Sequence, residues 1–314
     1  MLKYIIKRII LLVPIIVIVA VIAFLITNIM PGDPVRVILG NFATEEQVAE
    51  LTSQLGLDKP LHIRFGIWIS NVVKGDLGDS LFLNMSVKDA IISRIEPTFL
   101  LAIIGQSLGI LIGIPLGIIS AVKHRTWVDQ SAIAISLAGV SIPSFWLSQI
   151  LILGFGVKLR WFPVCGYKPL AEVGIEAIKY LVLPGLTLGF MQSGLIARMT
   201  RSAMLDVLKQ DYIRTARNKG LSETIVIIRH ALKNSLIPII TVTGFSLAVL
   251  LGGTWIVETV FAIPGTGSLA IDAIMRRDYP VIQGSIIFIS LVYVIVNLIV
   301  DISYAFINPK IKYK

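Results

Sequence analysis

The chain has 314 residues, of which 55% are hydrophobic and only 15% are charged, and its mean hydropathy is +0.85. Soluble domains carry about 25% charged residues, so this composition excludes an ordinary soluble protein and indicates a membrane protein. The net charge is +9, but no aromatic-rich basic face or nucleic-acid-binding module accompanies it, so we expect no nucleic-acid partner.

Six stretches nearly free of Asp, Glu, Lys and Arg are long enough to cross the hydrocarbon core, which takes about 20 residues. They predict spans at about 9–30, 98–122, 131–157, 180–200, 234–257 and 280–304. The first stretch follows Lys3, Lys7 and Arg8, as a signal peptide would, but it is too long for one and no small-residue cleavage site follows it. The sequence therefore predicts an all-α, six-span membrane domain over 1–314.

The charges between the spans predict the orientation. With both termini in the cytoplasm, the inner segments hold 16 of the 28 Lys and Arg residues but only 5 of the 19 Asp and Glu residues. Enrichment of Lys and Arg on the cytoplasmic side is the usual pattern of membrane proteins. We therefore predict cytoplasmic termini in the cytoplasmic (inner) membrane, an external segment at 31–96 and a cytoplasmic segment at 201–233.

The external segment contains two amphipathic stretches. Thr44 and Gln47 form the pattern of a capping box, and Val48 and Leu51 follow at helical spacing, so a helix is predicted there. The stretch "LHIRFGIWISNVV" is too short to span and too apolar for open water. We interpret it as a helix at the membrane interface or against the bundle, with Trp68 as its anchor.

Small residues and uncharged polar residues stand out within the spans. The second span carries glycines spaced four residues apart, at Gly105, Gly109, Gly113 and Gly117, so they lie along one face of the helix. This spacing favours a close contact with another helix, either as fixed packing or as a moving joint. Seven polar residues at membrane depth either line a pathway or bond between packed helices: Gln106, Gln149, Gln192, Ser193, Thr241, Thr243 and Ser246.

Several kinds of chemistry have no motif here. The chain contains no Gly-Lys pair, so it has no phosphate-binding loop of the G-x-x-x-x-G-K-[ST] type. Its three histidines lie in separate segments without metal-ligand spacing, and Cys165 has no partner for an internal disulfide. We predict no catalytic residue, cofactor or metal in this chain. No charge lies deep in a span, which argues against an ion-coupled carrier or channel.

The stretch "DYIRTARNKG", residues 211–220, carries four charges between two long apolar runs. It predicts a short helix with an apolar knob of Tyr212, Ile213 and Ala216, ended by a turn at Gly220. Such a knob suits a groove on another protein. A basic loop lying on acidic lipid would explain the charge, but not the glycine or the knob.

This stretch resembles the cytoplasmic loop of permease subunits in binding-protein-dependent ABC importers. Of the general signature E-A-A-x-x-x-G-x₉-I-x-L-P only Ala216, Gly220 and Leu232 match, but "DYIRTARNKGL…RHALKNSLIP" is similar to the variant in the dipeptide, oligopeptide and nickel branch. "MPGDP", "SIPSFWL", "WFPVCGY" and "ETVFAIPGTGSLAIDAIMRRDYPVIQG" also resemble that branch, and the long external segment resembles its first permease type.

The resemblance implies the type I importer permease fold and a division of labour. A binding protein would deliver cargo, a second permease (most simply a different chain) would complete the pathway, and two ATPase subunits would bind ATP and Mg²⁺. The cargo would be peptides, with nickel or a metal chelate as the alternative. The residues expected to couple to the ATPase are Asp211, Tyr212, Ile213, Arg214, Thr215, Ala216, Arg217 and Gly220. Those expected to contact the binding protein are Glu258, Arg277 and Asp278. A membrane protein that docks a partner without transport remains the rival from another class.

Overall fold

The computed structural model describes residues 2–29, 34–40, 43–54 and 56–307, and over these ranges the chain is helical without a β-strand. Residues 30–33 of the motif "MPGDP" and the basic residues at 310–314 lie outside the described residues. The helices are α1 (Leu2–Ile29), α2 (Pro34–Leu39), α3 (Glu45–Gln54), α4 (Leu61–Val73), α5 (Val87–Val122), α6 (Trp127–Ser141), α7 (Ser144–Leu151), α8 (Leu170–Val173), α9 (Ala177–Leu208), α10 (Asp211–Asn218), α11 (Glu223–Ile225), α12 (Lys233–Leu251), α13 (Trp255–Val260), α14 (Thr266–Arg276) and α15 (Tyr279–Ile307). The all-α prediction is confirmed.

The predicted spans correspond to five single helical segments and one bent pair. Helices α1, α5, α9, α12 and α15 belong to segments that are long and apolar enough to cross a membrane. The third span, predicted as continuous over 131–157, is instead α6 followed by α7 and a π-helix at Ile152–Lys158, with a bend of 101° between the two halves. Pro143 lies at the bend, and proline disfavours helical geometry in the residue before it.

Two other boundaries differ from the sequence expectation. Helix α9 does not stop near 200 but continues to Leu208, so its last turns reach the cytoplasmic segment. Helix α12 ends at Leu251, and the chain then turns through Gly253 (φ +110°) into the separate helix α13, rather than running on to 257. A second π-helix, Val226–Leu232, joins α11 to α12. The stretch from α11 through the π-helix to α12 is thus one continuous helical segment leading into the fifth span.

The centre of the bundle is the contact between α5 and α9, and the glycine strip makes it. A Cβ on Gly113 would lie 2.8 Å from the Ser193 backbone oxygen, and one on Gly117 would lie 2.6 Å from the Ala197 backbone oxygen. A Cβ on Gly189 of the facing helix would in turn lie 2.5 Å from Leu108. The strip therefore provides the close contact between helices that its spacing predicts.

The external segment forms the two helices predicted for it. The backbone N–H of Thr44 donates to Gln47 and the N–H of Gln47 donates to Thr44, at 3.0 and 3.3 Å, so the capping box at the start of α3 is confirmed. Helix α4 packs on the outer end of α1, where Trp68 and Phe65 lie 5.6 and 5.2 Å from the ring of Phe24. Trp68 therefore anchors α4 to the helical bundle, through its contact with Phe24.

Candidate coupling site and translocation pathway

Helix α10, hereafter the coupling helix, is the most polar helix between two spans. It begins after Gln210, whose backbone oxygen accepts from the N–H of Ile213, and it ends before Gly220. Gly220 has φ +77°, a conformation that residues with a Cβ rarely adopt, so the predicted glycine turn is present. The chain then enters α11. A sharp turn on each side makes the coupling helix a separate short element across the end of the bundle.

The three apolar residues of the coupling helix do not form the single exposed knob that the sequence predicted. Ile213 is fully buried and Ala216 is 6% exposed, in a cluster with Met204 of α9 and Val226 at the start of the following π-helix. Tyr212 is 42% exposed. The expectation that all three present one apolar knob to a partner is therefore corrected. Ile213 and Ala216 attach the helix to the chain's own body, because the C-terminal end of α9 supplies the apolar surface against which they pack.

The outward face is polar apart from one aromatic ring. Its exposed members are Asp211, Tyr212, Arg214, Thr215 and Arg217. Arg217 also makes an ion pair with Glu223 across the Gly220 turn, at 2.7 Å. Both side chains are about half exposed, and such surface pairs contribute little stability, so the pair orients Arg217 more than it holds the fold.

A buried acid stands at the base of this region, and the sequence reasoning missed it. Asp129, 3% exposed at the start of α6, accepts hydrogen bonds from Arg201 Nε and Nη2 of α9 at 2.8 and 2.9 Å. The hydroxyl of Ser120 and the backbone N–H of Arg125 donate to the same carboxylate. The sign that could have revealed it is an acid placed immediately before a charge-free window. The pair joins the second and third spans to the extension of the fourth.

Three of the seven polar pathway candidates meet between α5, α9 and α12. The hydroxyl of Ser246 donates to Gln106 Oε1 at 2.9 Å, and Gln192 Nε2 donates to the backbone oxygen of Ser246 at 3.3 Å. Gln106 is 6% exposed, and its Nε2 has no hydrogen-bond partner among the described residues. We call these three residues the polar triad. The polar triad therefore contains one buried amide donor, Gln106 Nε2, that is not used within the described chain.

The other four candidates do not join the triad. Ser193, Thr241 and Thr243 each donate to a backbone oxygen of their own helix, at 2.7 to 3.0 Å, which is what isolated hydroxyls in membrane helices usually do. Gln149 is exposed on α7, in the bent third span. Sequence alone gave all seven equal standing, but the structure groups only three.

Two of the three residues expected to contact a binding protein, Glu258 and Asp278, have buried side chains. Glu258 is fully buried and accepts from the backbone N–H of Ser268 at 2.7 Å and from the hydroxyl of Thr98 at 3.0 Å. A Cβ on Gly265 would lie 2.2 Å from the Glu258 carboxyl carbon, so glycine is needed beside it. Burial raises the pKa of Glu258, and the donors act in the opposite direction. The carboxylate caps the N-terminus of α14, where negative charge is favourable.

Asp278 is buried as well, at 2% exposed. It accepts from the hydroxyl of Ser80 and, at 3.3 Å, from the backbone N–H of Leu81, and so ties the external segment to the start of α15. Of the three residues only Arg277 is partly exposed. The expected contacts of Glu258 and Asp278 with a delivering protein are therefore corrected: both acids are buried and hold segments of the chain itself together.

Comparison with known families covers nearly the whole chain. Residues 113–313 match the model for the binding-protein-dependent transport system inner membrane component, and residues 1–102 match the model for the N-terminal part of such membrane components. The chain belongs to this family. It is a multi-pass inner-membrane permease of an ATP-driven importer, in which a binding protein and an ATPase are the other components.

Its relatives are similar over full length. The glutathione transport system permease protein GsiC of Escherichia coli is 44% identical over 314 residues, all of both chains, and that of Salmonella typhi is 42% identical over the same length. A relative from Brucella abortus, whose name assigns it to peptide transport, is 40% identical over 309 residues, 98% of each chain.

A solved structure shares the fold. The methionine ABC transporter MetNI, in an inward-facing conformation, superposes with a TM-score of 0.58 at 18% identity, covering 70% of this chain and 96% of that one. The predicted type I importer permease fold is thereby confirmed.

Proposed function

We propose that this permease passes short peptides, delivered by an extracytoplasmic binding protein, across the cytoplasmic membrane. The observation that carries the proposal is the full-length similarity to a glutathione permease at 44% identity. Glutathione is a tripeptide, and the Brucella relative is also assigned to peptide transport by its name. Short peptides share backbone amides and terminal charges, so one pathway suits many of them.

The test is uptake by cells that lack the gene for this chain and by the same cells with the gene restored. Labelled glutathione, a set of dipeptides and nickel ions serve as cargoes. Restoration of the chain is expected to restore uptake of at least one peptide. Restoration of nickel uptake alone would overturn the peptide assignment while leaving the importer intact.

The outward face of the coupling helix is the surface that docks on an ATPase subunit. Tyr212 supplies an exposed aromatic ring, and Arg214 and Arg217 supply exposed charges on the same helix. Tyrosine and arginine are the residues that most often dominate protein interfaces. Ile213 and Ala216 take the complementary role of fixing the helix to the permease, so that a displaced coupling helix moves the spans with it.

Two connections carry that displacement. Ile213 packs on Met204 near the end of α9, and the Gly220 turn leads through the π-helix into α12. Helices α9 and α12 hold Gln192 and Ser246, two members of the polar triad. Movement of the coupling helix therefore shifts the triad relative to Gln106 on α5, which is the kind of rearrangement that switches a pathway between two packings.

The polar triad is the part of the pathway that contacts cargo. Gln106 Nε2 is a buried donor without a partner among the described residues, and a peptide carbonyl oxygen is its natural acceptor. Amides and hydroxyls bind peptide groups without a net charge, which suits passage of peptides that differ in side chain. The other four polar candidates are left outside this proposed contact because they bond within their own helices or lie apart.

The remaining parts of the importer follow the family pattern. This chain pairs with a second permease, which we propose is a different chain, and two ATPase subunits hold the ATP and Mg²⁺. No residue of this chain is assigned a catalytic role, and both termini face the cytoplasm, in keeping with 16 of its 28 Lys and Arg residues on that side. Crosslinking from Tyr212→Cys to the ATPase, in a Cys165→Ser background, tests the docking surface. If Tyr212→Cys gave no crosslink to the ATPase and Lys168→Cys gave one instead, the proposed orientation would be wrong.

A further inference from the structure

A pocket of about 360 Å³ lies at the outer end of the bundle, away from the coupling site and the polar triad. Its walls come from the end of α1, from the turn between α3 and α4, from α4 itself and from the start of α15. Three of its lining residues, Ser53, Lys59 and Ile67, are exposed, so the pocket opens to the surface. Volumes of this size are typical of small-molecule sites. We call it the Arg64 pocket.

The polar side of the Arg64 pocket is positively charged. Arg64 is partly buried in it, and Lys59 stands at its opening. Neither cation has a hydrogen bond or ion pair with another side chain in the part of the chain that the structure describes. Burial lowers the pKa of Arg64, and the interaction with Tyr279, which also lines the pocket, acts in the opposite direction. A half-buried cation of this kind favours an anionic ligand.

The other side of the pocket is apolar and continuous with membrane-facing surface. Phe24, Ile67 and Trp68 line it. The same helix, α1, exposes Ile22 by 46% and Ile26 by 43%, which is expected of a helix against lipid chains. Helix α4 exposes further apolar side chains: Leu61, Ile63 and Val73. The ligand that fits has an anionic head and an apolar tail.

We propose that the Arg64 pocket binds the phosphate and glycerol of an anionic phospholipid from the outer leaflet, given the orientation proposed above. Arg64 takes the phosphate, since its planar group makes paired hydrogen bonds to phosphate oxygens. Lys59 adds a second charge at the opening. The acyl chains run along the exposed face of α1, and the Trp68 ring lies beside the glycerol. The lipid thereby fastens the external helix α4 to the first span and to the last.

The test measures phosphatidylglycerol bound to the assembled importer by native mass spectrometry, after exchange into neutral detergent. The variant is Arg64→Gln with Lys59→Gln. The matched control is Lys74→Gln with Lys168→Gln, which removes the same charge from exposed external positions outside the pocket. The pocket variant is expected to lose affinity at one site by about tenfold or more, the size of one lost charge-assisted hydrogen bond, while the control keeps it.

A second variant and two competitors keep the result decisive. Arg64→Lys retains the charge without the paired geometry and is expected to bind with intermediate affinity, which also separates loss of the site from failure to fold. Equal lipid binding by wild type and pocket variant would overturn the proposal. Displacement of the lipid by inorganic phosphate at equal concentration would identify a free-anion site instead. Weaker binding-protein association in the pocket variant, with lipid binding unchanged, would assign the surface to that protein.

Discussion

Replacement of Ile213 by alanine distinguishes the two faces of the coupling helix. Ile213 is fully buried in the cluster with Met204 and Val226, so Ile213→Ala removes apolar contacts inside the permease and none at its surface. Such truncations cost about 2–5 kcal/mol. The coupling helix lies outside the candidate membrane spans, so burial of its apolar face is counted relative to water. We therefore expect a clearly lower midpoint in thermal unfolding of the purified permease complex.

The matched control is Tyr212→Ala, at the adjacent position and 42% exposed. Surface substitutions usually change stability by no more than about 0.5 kcal/mol, so its unfolding midpoint should stay close to wild type. If Tyr212 is an anchor of the ATPase interface, its loss should weaken ATPase association by about 2 kcal/mol, or roughly 30-fold. Both properties are measured on the same preparations, by thermal unfolding and by titration of labelled ATPase onto permease in nanodiscs.

The two variants should therefore fail in opposite assays. Ile213→Ala should unfold early, and at low temperature it should still bind the ATPase. Tyr212→Ala should be stable and bind weakly. An Ile213→Ala protein with wild-type stability and weakened ATPase binding would refute the assignment of faces, because it would put Ile213 back on the outward knob.

Two further substitutions test the frame that carries the movement, both by thermal unfolding of the assembled importer. Gly117→Ala places a methyl group 2.6 Å from a backbone oxygen of α9 and should lower the free energy of unfolding by about 1–3 kcal/mol. The control Gly154→Ala, which has nothing within 4 Å of the added methyl group, should leave stability almost unchanged. Equal effects of the two substitutions would contradict close packing as the role of the strip. Asp129→Asn leaves Arg201 without its counter-ion and should lower the free energy of unfolding by about 3 kcal/mol. The control Glu176→Gln breaks an exposed ion pair and should lower it by less than about 1 kcal/mol. An Asp129→Asn variant with wild-type stability would show that the buried pair does not stabilise the bundle.

Local features were predictable where a short stretch of sequence determines them. The capping box at Thr44 and Gln47 depends on side chains three residues apart, and the turn at Gly220 depends on a residue type that tolerates positive φ. The apolar windows located the spans for the same reason, since length and hydropathy are enough to meet the requirement of the bilayer. The 101° bend near Pro143 was not predictable, because proline in membrane helices is compatible with a straight span or a broken one.

Contacts between distant segments were the part that sequence could not supply. The spacing of Ile213 and Ala216 showed that they share a face, but not whether the chain itself or a partner covers that face. Glu258 and Asp278 were expected at the surface because acids in polar loops are usually exposed. Their donors come from Thr98 and from Ser80, about 160 and 200 residues away in the chain. Only the folded chain reveals such pairs.

The central claim is that this chain moves peptide only when an ATPase drives it through the coupling helix. The most direct measurement is accumulation of labelled glutathione or a labelled dipeptide in vesicles that contain the permeases, the binding protein and ATP, with and without the ATPase subunits. We predict concentrative uptake with the ATPase, its loss when Tyr212→Ala is introduced, and none without the ATPase. Concentration of peptide by the permeases in the absence of any ATPase would contradict the account.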